Sequence, residues 1–371
     1  VFEIILFEDD GLILDIIKLD EESKDGYFYY RIPEGLYHMV VPVSDTVIYH
    51  EITNGPFQQK SMIIPKWAPS DQADNNTIQR YLKTLEHDIS LFELTKGKMK
   101  SSSVLVVGAD GIIGGALKTE LQHQVEDFFE TTRRADTVGG QRLYLDLLKP
   151  VRNWEIPEGI QVSFICAGVV KIMDCEQSPL ETYNINVDNT ISLIRRLLDA
   201  GSTVVYFSSA LQSNEYTRQK DEVERTLLGW NEDIIILSMT KVLSPDMSLI
   251  KEWIKCLKNG IAIHPFSNLS MAPITINYVI NTLLRIVDSS TRGVFHLSGD
   301  RYISYADAAA FIAKKLGVDE ELVQPVTSKE VGLYKLSISN SKIIDNKRIQ
   351  NEFGIEPPDV LGSISKSFSL W

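Results

Sequence analysis

Cysteine is scarce: Cys166, Cys175 and Cys256 are the only three in a chain of 371 residues. They are odd in number and lack the paired spacing of a metal site. They therefore exclude a disulfide framework and point to a reducing compartment. Long apolar runs are missing as well. No stretch approaches the about 20 residues needed to cross a bilayer, and no signal peptide is evident. Positive charge is in deficit, with 37 Lys and Arg against 50 Asp and Glu and a net charge of −13. That balance disfavours nucleic acid and anionic membranes as partners. Internal repeats and low-complexity segments are also absent. The chain opens Val1-Phe2-Glu3-Ile4-Ile5 without an initiator methionine, already strand-like, so natural polypeptide upstream is expected. What remains is a cytoplasmic globular protein, 44% hydrophobic and 23% charged, of a length that suggests two domains.

The pattern changes once along the chain. Residues 1–70 read as β, with strand-like runs Val1–Phe7, Leu12–Leu19, Tyr27–Ile32, His38–Val43 and Thr46–Ile52 separated by turn residues. Such short strands predict a sandwich or barrel. Residues 71–102 hold an amphipathic helix, Ile78–Leu94, and a basic linker, Thr95–Ser103. From 103 to 371 strands alternate with helices, which predicts a doubly wound parallel sheet of Rossmann type with a small C-terminal lobe. The expected order is strand Val104–Val107, helix Ile112–Gln124, strands Glu126–Thr132, Arg142–Asp146 and Val162–Cys166, then helix Leu180–Ala200. Strand Thr203–Ser208, helix Tyr216–Leu228 and strand Ile234–Met239 follow.

The first strand of that series runs into Gly108-Ala109-Asp110-Gly111-Ile112-Ile113-Gly114. Glycines at this spacing, between a strand and a helix, let the main chain turn sharply and approach a pyrophosphate, whose charge the helix N-terminus stabilises. The second strand ends in Arg133-Arg134. An acidic residue there would accept the ribose hydroxyls of NAD, whereas arginine accommodates the 2′-phosphate of NADP. The expected cofactor is therefore NADP, with NAD as the lesser fit. Asp146 and Leu147, at the end of the third strand, are placed for the adenine side or for a simple turn.

Tyr216 is the only tyrosine with a lysine four positions on, Lys220. Positions i and i+4 share a helix face, so the ammonium is expected beside the phenol. A phenol with a pKa near about 10 is a poor acid at neutral pH, and a neighbouring cation is expected to lower that value. Ser209, at the end of the preceding strand, could hold a carbonyl oxygen. The alternative is an ordinary surface pair on a helix.

Together these residues resemble the extended short-chain dehydrogenase/reductase family over about residues 103–357. Gly108, Gly111 and Gly114 match its cofactor fingerprint. Cys166-Ala167-Gly168 lies where that family has its Asn-Ala-Gly or Ala-Ala-Gly turn, which implies cofactor contact. Tyr183–Thr190 is similar to its Asn-Val-x-Gly-Thr helix. Phe266–Val279 resembles the segment that closes the substrate pocket, and Gly293–Gly299 with Ile303–Asp307 the substrate lobe. Within the family the likeness is to nucleotide-sugar reductases and epimerases. The Thr-Asp-Glu signature of 4,6-dehydratases is absent, Ser208-Ser209-Ala210 standing there, which leaves reduction or epimerisation. Ser209 and Tyr216 are also closer in sequence than the family usually has them, which implies a reduced pocket wall. The N-terminal segment resembles the second half of a WbuC-type cupin: Gly26, Pro33-Glu34-Gly35 and His38 fit the second cupin motif. His50–Phe57 and Lys66–Pro69 extend the likeness. One histidine cannot hold a metal, since a site usually needs three protein ligands.

The resemblances imply an NADP-dependent reductase or epimerase of a nucleotide-linked keto-sugar in surface polysaccharide biosynthesis, with a homodimer expected. Two other readings stand beside it: a non-catalytic NADP-binding sensor or scaffold, and a bifunctional protein whose cupin isomerises what the second domain reduces.

Overall fold

The computed structural model describes residues 1–371 except 8–10, 12, 21–28, 34, 53–62, 66, 71, 80, 84, 87, 88, 90, 91, 93–101, 210–213, 231, 245, 246, 290, 332–344 and 369–371. The chain divides into two compact units, 1–95 and 96–371.

In the first unit, β1 (Phe2–Phe7), β2 (Ile13–Leu19) and β3 (Tyr37–Pro42) form an antiparallel sheet in the order β2-β1-β3. Its strands are apolar on both faces, as befits a sheet covered on both sides. Ile5, Phe7 and Ile13 pack with Trp67, Tyr81 and Leu85, so helical residues of 75–92 cover one face. Ile4, Leu6, Ile17 and Leu19 pack with Tyr30, Ile32 and Leu36 on the other. Two expected strands differ. Thr46–Ile52 joins no ladder, and Ile48 and Ile52 are 88% and 90% exposed. Residues 29–32 also lie outside any strand, while 27 and 28 fall outside the described residues. β-branched alternation makes a strand only where a partner edge supplies hydrogen bonds and cover. The described sheet is thus simpler than the expected sandwich or barrel. His38, on β3, is exposed. Among the described residues no group of three His, Cys, Asp or Glu side chains lies together as a metal site.

The second unit is built on seven parallel strands. They are β4 (Ser103–Val107), β5 (Asp127–Thr132), β6 (Arg142–Tyr144), β7 (Val162–Ile165), β8 (Thr203–Ser209), β9 (Ile234–Met239) and β13 (Gly293–Leu297). Their order is β13-β9-β8-β7-β4-β5-β6. The sheet reverses direction of growth beside β4, which opens a crevice at the strands' carboxyl ends. The helices are α1 (Ile112–Leu121), α2 (Ile172–Gln177), α3 (Pro179–Tyr183), α4 (Thr190–Asp199) and α5 (Glu215–Leu228). Val107, Ile165, Val204, Tyr206 and Ile236 of the strands pack against Leu193, Leu197, Val223 and Leu227 of α4 and α5.

The expected single helix Leu180–Ala200 is instead α3, a π turn over Asn184–Asn189, and α4. The Thr190 hydroxyl donates to the Ile185 carbonyl five residues back (2.8 Å), and the Asn189 amide reaches out to the Leu147 carbonyl (2.8 Å). The first bond satisfies a carbonyl within the wider turn, and the second ties the turn to the segment after β6.

The C-terminal lobe holds β10 (Val242–Leu243), α6 (Ser248–Lys258), β11 (Ser270–Met271), β12 (Ile274–Thr275) and α7 (Ile276–Asp288). It continues with β14 (Ile303–Ser304), α8 (Tyr305–Leu316), α9 (Lys347–Phe353) and α10 (Val360–Phe368). Leu243, Trp253, Leu257, Ala308, Ile312 and Ile364 form its separate core. β10 pairs with β12 and β11 with β14, and the lobe sits at the carboxyl edge of the large sheet. No helix among the described residues is long and apolar enough to cross a membrane.

Candidate active site

The glycine turn after β4 is shaped by steric necessity. Gly108 has φ +87°, and a Cβ there would lie 2.7 Å from the Ala167 backbone. A Cβ at Gly114 would sit 2.3 Å from the Gly108 carbonyl oxygen. Both glycines let backbone pack where no side chain fits. Gly111 differs: the nearest atom to a Cβ there would be the Gly108 carbonyl oxygen at 3.5 Å, so the middle glycine leaves open space at the helix start. There it is the N-cap of α1, supplies no side-chain cap, and is followed by a first turn without acidic residues. Uncapped N–H groups and an open approach fit a pyrophosphate. Ile112 is exposed and Ile113 half-buried beside them.

Asp110 does not face this space freely. Its carboxylate accepts from the Thr132 hydroxyl (2.6 Å) and from Arg142 (2.6 Å), with Arg134 at 4.0 Å. Burial works against its charge, but these partners hold its carboxyl below the usual range. Arg142 also donates to the buried Glu130 (2.7 Å), the residue it opposes in the β5–β6 register, and Lys118 donates to the same oxygen (2.8 Å). Arg142 thus ties β5, β6 and the glycine turn into one unit. Arg133 and Arg134 are both exposed just beyond β5. The Arg133 side chain has no ion pair or hydrogen bond with any described residue, whereas Arg134 leans towards Asp110. Asp146 accepts from the Leu148 N–H (3.1 Å) as a turn aspartate, and buried Leu147 receives Asn189 at its carbonyl.

The second half of the site lies at the ends of β7 and β8. Ala167 packs on Gly108, which brings the Cys166-Ala167-Gly168 turn against the glycine turn. Buried Asn186 pins the segment just after it, accepting from the Val169 N–H (2.8 Å) and donating to its carbonyl (3.0 Å) and to Gln219 (2.8 Å). Ser209 ends β8, half-buried and opposite Met239 of β9. The intervening loop 210–213 lies outside the described residues. Asn214 then caps α5, accepting from Thr217 (2.9 Å), which fixes where Tyr216 emerges.

Lys220 is buried, and its ammonium donates to the Phe207 carbonyl (2.9 Å). It lies over the Tyr206 ring at 4.6 Å and only 6.0 Å from the Tyr216 ring centroid. Burial pushes its pKa down to about 8. Cys166 is close enough for its thiol to feel that charge, although burial pushes the thiol up. Burial, then the neighbouring Cys175, push Tyr216 up to about 12. The expected lowering of the phenol by Lys220 is therefore not found in this arrangement. Desolvation is the largest influence on both groups.

The sequence placed Gly108, Gly111, Gly114, Cys166, Ala167, Gly168, Ser209, Tyr216 and Lys220 at this edge, and the structure brings the strand ends that carry them together. It missed Arg142, Thr132, Asn186 and Gln219 as organisers. Only the opposite-charge cross-strand pair Glu130–Arg142 left a signal, readable once the β5–β6 register is known.

A parallel sheet, a glycine turn opening a helix and a buried lysine one turn from a tyrosine define a dinucleotide-binding α/β enzyme domain. Residues 104–268 match the NAD dependent epimerase/dehydratase family, and residues 212–368 match the RmlD substrate binding domain. The two matches support an NAD(P)-type oxidoreductase or epimerase. None of the curated proteins matches the sequence significantly.

Solved structures similar in fold include a dTDP-4-dehydrorhamnose reductase from Clostridium acetobutylicum. It is 17% identical with a TM-score of 0.62, covering 72% of this chain and 99% of that one. RMD from Pseudomonas aeruginosa, complexed with NADPH, is 17% identical with a TM-score of 0.56, covering 73% and 99%. The dTDP-glucose 4,6-dehydratase DesIV from Streptomyces venezuelae, with NAD and TYD bound, is 14% identical with a TM-score of 0.59, covering 72% and 96%.

Proposed function

We propose that the second unit is an NADP-dependent reductase, or epimerase, of a nucleotide-linked keto-sugar. The observation that carries this reading is the face of α5 that bears buried Lys220 and half-buried Tyr216, set at the same sheet edge as Ser209 and the open glycine turn. The glycine turn would hold the pyrophosphate of the dinucleotide, which when bound would supply the hydride that the sugar carbonyl carbon takes up. The Ser209 hydroxyl donates a hydrogen bond to the carbonyl oxygen and orients it. Tyr216 gives its phenolic proton to that oxygen as it becomes a hydroxyl, and the Lys220 ammonium, one turn away on α5, is the nearby cation for the phenolate left behind. The exposed Arg133 is the group for a 2′-phosphate, with Arg134 shared between that phosphate and Asp110.

The neighbours in fold support the substrate class, since two of them are named for dTDP-sugars. The absence of a Thr-Asp-Glu signature supports reduction or epimerisation over dehydration. Surface polysaccharide biosynthesis is the setting that the cupin-like motif at Pro33, Gly35 and His38 adds to the reading, the first unit being a structural β-module. The test is calorimetric titration of NADPH and NADH into the whole chain. NADPH should bind more tightly, and keto-sugar nucleotides should then consume it. Binding of neither cofactor would overturn the reading.

A further inference from the structure

Three hydrogen bonds fasten the glycine turn to the end of β5. The Gly108 N–H donates to the Thr131 hydroxyl (2.9 Å), the Ala109 N–H to the Thr131 carbonyl (3.2 Å) and the Thr132 hydroxyl to the Asp110 carboxylate (2.6 Å). From β6, Arg142 donates to the other oxygen of that carboxylate (2.6 Å). An acidic side chain of the turn is thereby held at the last residue of β5. That is the place where NAD enzymes of this fold present, from the strand itself, the acid that accepts the ribose hydroxyls. Here the strand presents none: Thr131 and Thr132 are buried, and Arg133 and Arg134 follow. Glu130, the nearest acid on β5, is buried and accepts from Lys118 and Arg142.

Asp110 keeps spare capacity. Its side chain is 29% exposed, and each carboxylate oxygen accepts one hydrogen bond among the described residues, with a second lone pair left on each. The same charge stands against the arginines. Arg134 lies 4.0 Å from the oxygen that Thr132 occupies, so a phosphate drawn to Arg134 must part it from Asp110 or bind beside that carboxylate. Like charges at that range repel, and a guanidinium shared with a carboxylate gives less to a phosphate.

We propose that Asp110 is a cofactor-selecting residue that works against Arg133 and Arg134: its carboxylate accepts a hydrogen bond from the 2′-hydroxyl of NADH and opposes the 2′-phosphate of NADPH. The arginines give NADPH its advantage and Asp110 limits it, so one site takes both cofactors. This rests on the cofactor part of the proposed function and adds the residue that sets the ratio between the two.

The test titrates NADH and NADPH by calorimetry into the whole chain and into its Asp110→Asn variant, which removes the charge and keeps an acceptor for Thr132. NADH should weaken and NADPH tighten, so that the ratio of their dissociation constants moves by about tenfold towards NADPH. Equal changes for both cofactors, or none, overturn the selecting role. They leave Asp110 as a brace between Arg142 and the turn, with the NADP reading standing. If NADH binds the wild-type chain too weakly to measure, NADPH alone decides, and an affinity not raised in Asp110→Asn overturns the proposal. A wild-type chain that binds neither cofactor overturns both. Should Asp110→Asn not fold, Asp110→Ser carries the same comparison.

Discussion

The two halves of the site are built by different physics. At the phosphate-binding half, from β4 to β5, shape does the work: Cβ atoms at Gly108 and Gly114 would meet backbone at 2.7 and 2.3 Å, so the turn exists only because side chains are missing. At the proton-transfer half, from β8 to α5, charge does the work. Burial holds the Lys220 ammonium and the half-buried Tyr216 phenol away from their ordinary ionisation; the Cys166 and Cys175 thiols pull Lys220 back towards it, and Cys175 pushes Tyr216 further up. The first half tolerates no added atom at Gly108 or Gly114, and the chemistry of the second depends on charge.

Substituting each half should therefore fail differently. Tyr216→Phe keeps the ring and removes the proton. Turnover should fall by about 10²–10⁴, with NADPH affinity unchanged by calorimetry. Retained turnover would remove Tyr216 from the chemistry and leave an NADP-binding protein of another kind. Gly114→Ala makes the opposite cut. Forcing its Cβ against the Gly108 carbonyl should cost about 1–3 kcal/mol of stability, seen as a lower melting temperature together with loss of NADPH binding. Normal NADPH affinity in that variant would show that the glycine turn is not the phosphate site.

Specificity should separate from both. Arg133→Asp with Arg134→Ala should weaken NADPH by about tenfold to a hundredfold and leave NADH nearly unaffected. The network beneath, in which Arg142 holds Asp110 and Glu130, stays intact in this variant. Equal losses for the two cofactors would instead mean that the arginines support the fold of the turn.

The difference between the halves also explains what was legible in the sequence. Local rules were readable: glycines at a strand–helix turn, alternation of strand and helix, and a tyrosine and lysine one turn apart. Strand Ile234–Met239 stands where its apolar run predicts it. Features that depend on distant partners were not. Whether Thr46–Ile52 becomes a strand depends on a neighbouring edge, and none takes it up. The π turn at Asn184–Asn189 is tied to a distant partner, the Leu147 carbonyl that Asn189 reaches. The phenol's ionisation was misjudged because i,i+4 spacing gives adjacency but says nothing of burial, and burial wins.

That last point gives the smallest and most diagnostic effect. The folded Lys220 pKa, about 8, lies below the unfolded value of about 10.4. Between those values the unfolded chain binds more protons, so stability must rise with pH. Below pH 8 the full cost of the desolvated ammonium is present; above about 10.4 this contribution is gone. Lys220→Met removes the charge but keeps the volume. It should melt higher than the wild-type protein at pH 7 and lose the upward slope of stability between pH 8 and 10, while turnover collapses. A lower melting temperature in Lys220→Met would show that the hydrogen bond to the Phe207 carbonyl outweighs desolvation. The proton-transfer half would then be held together by its lysine rather than strained by it.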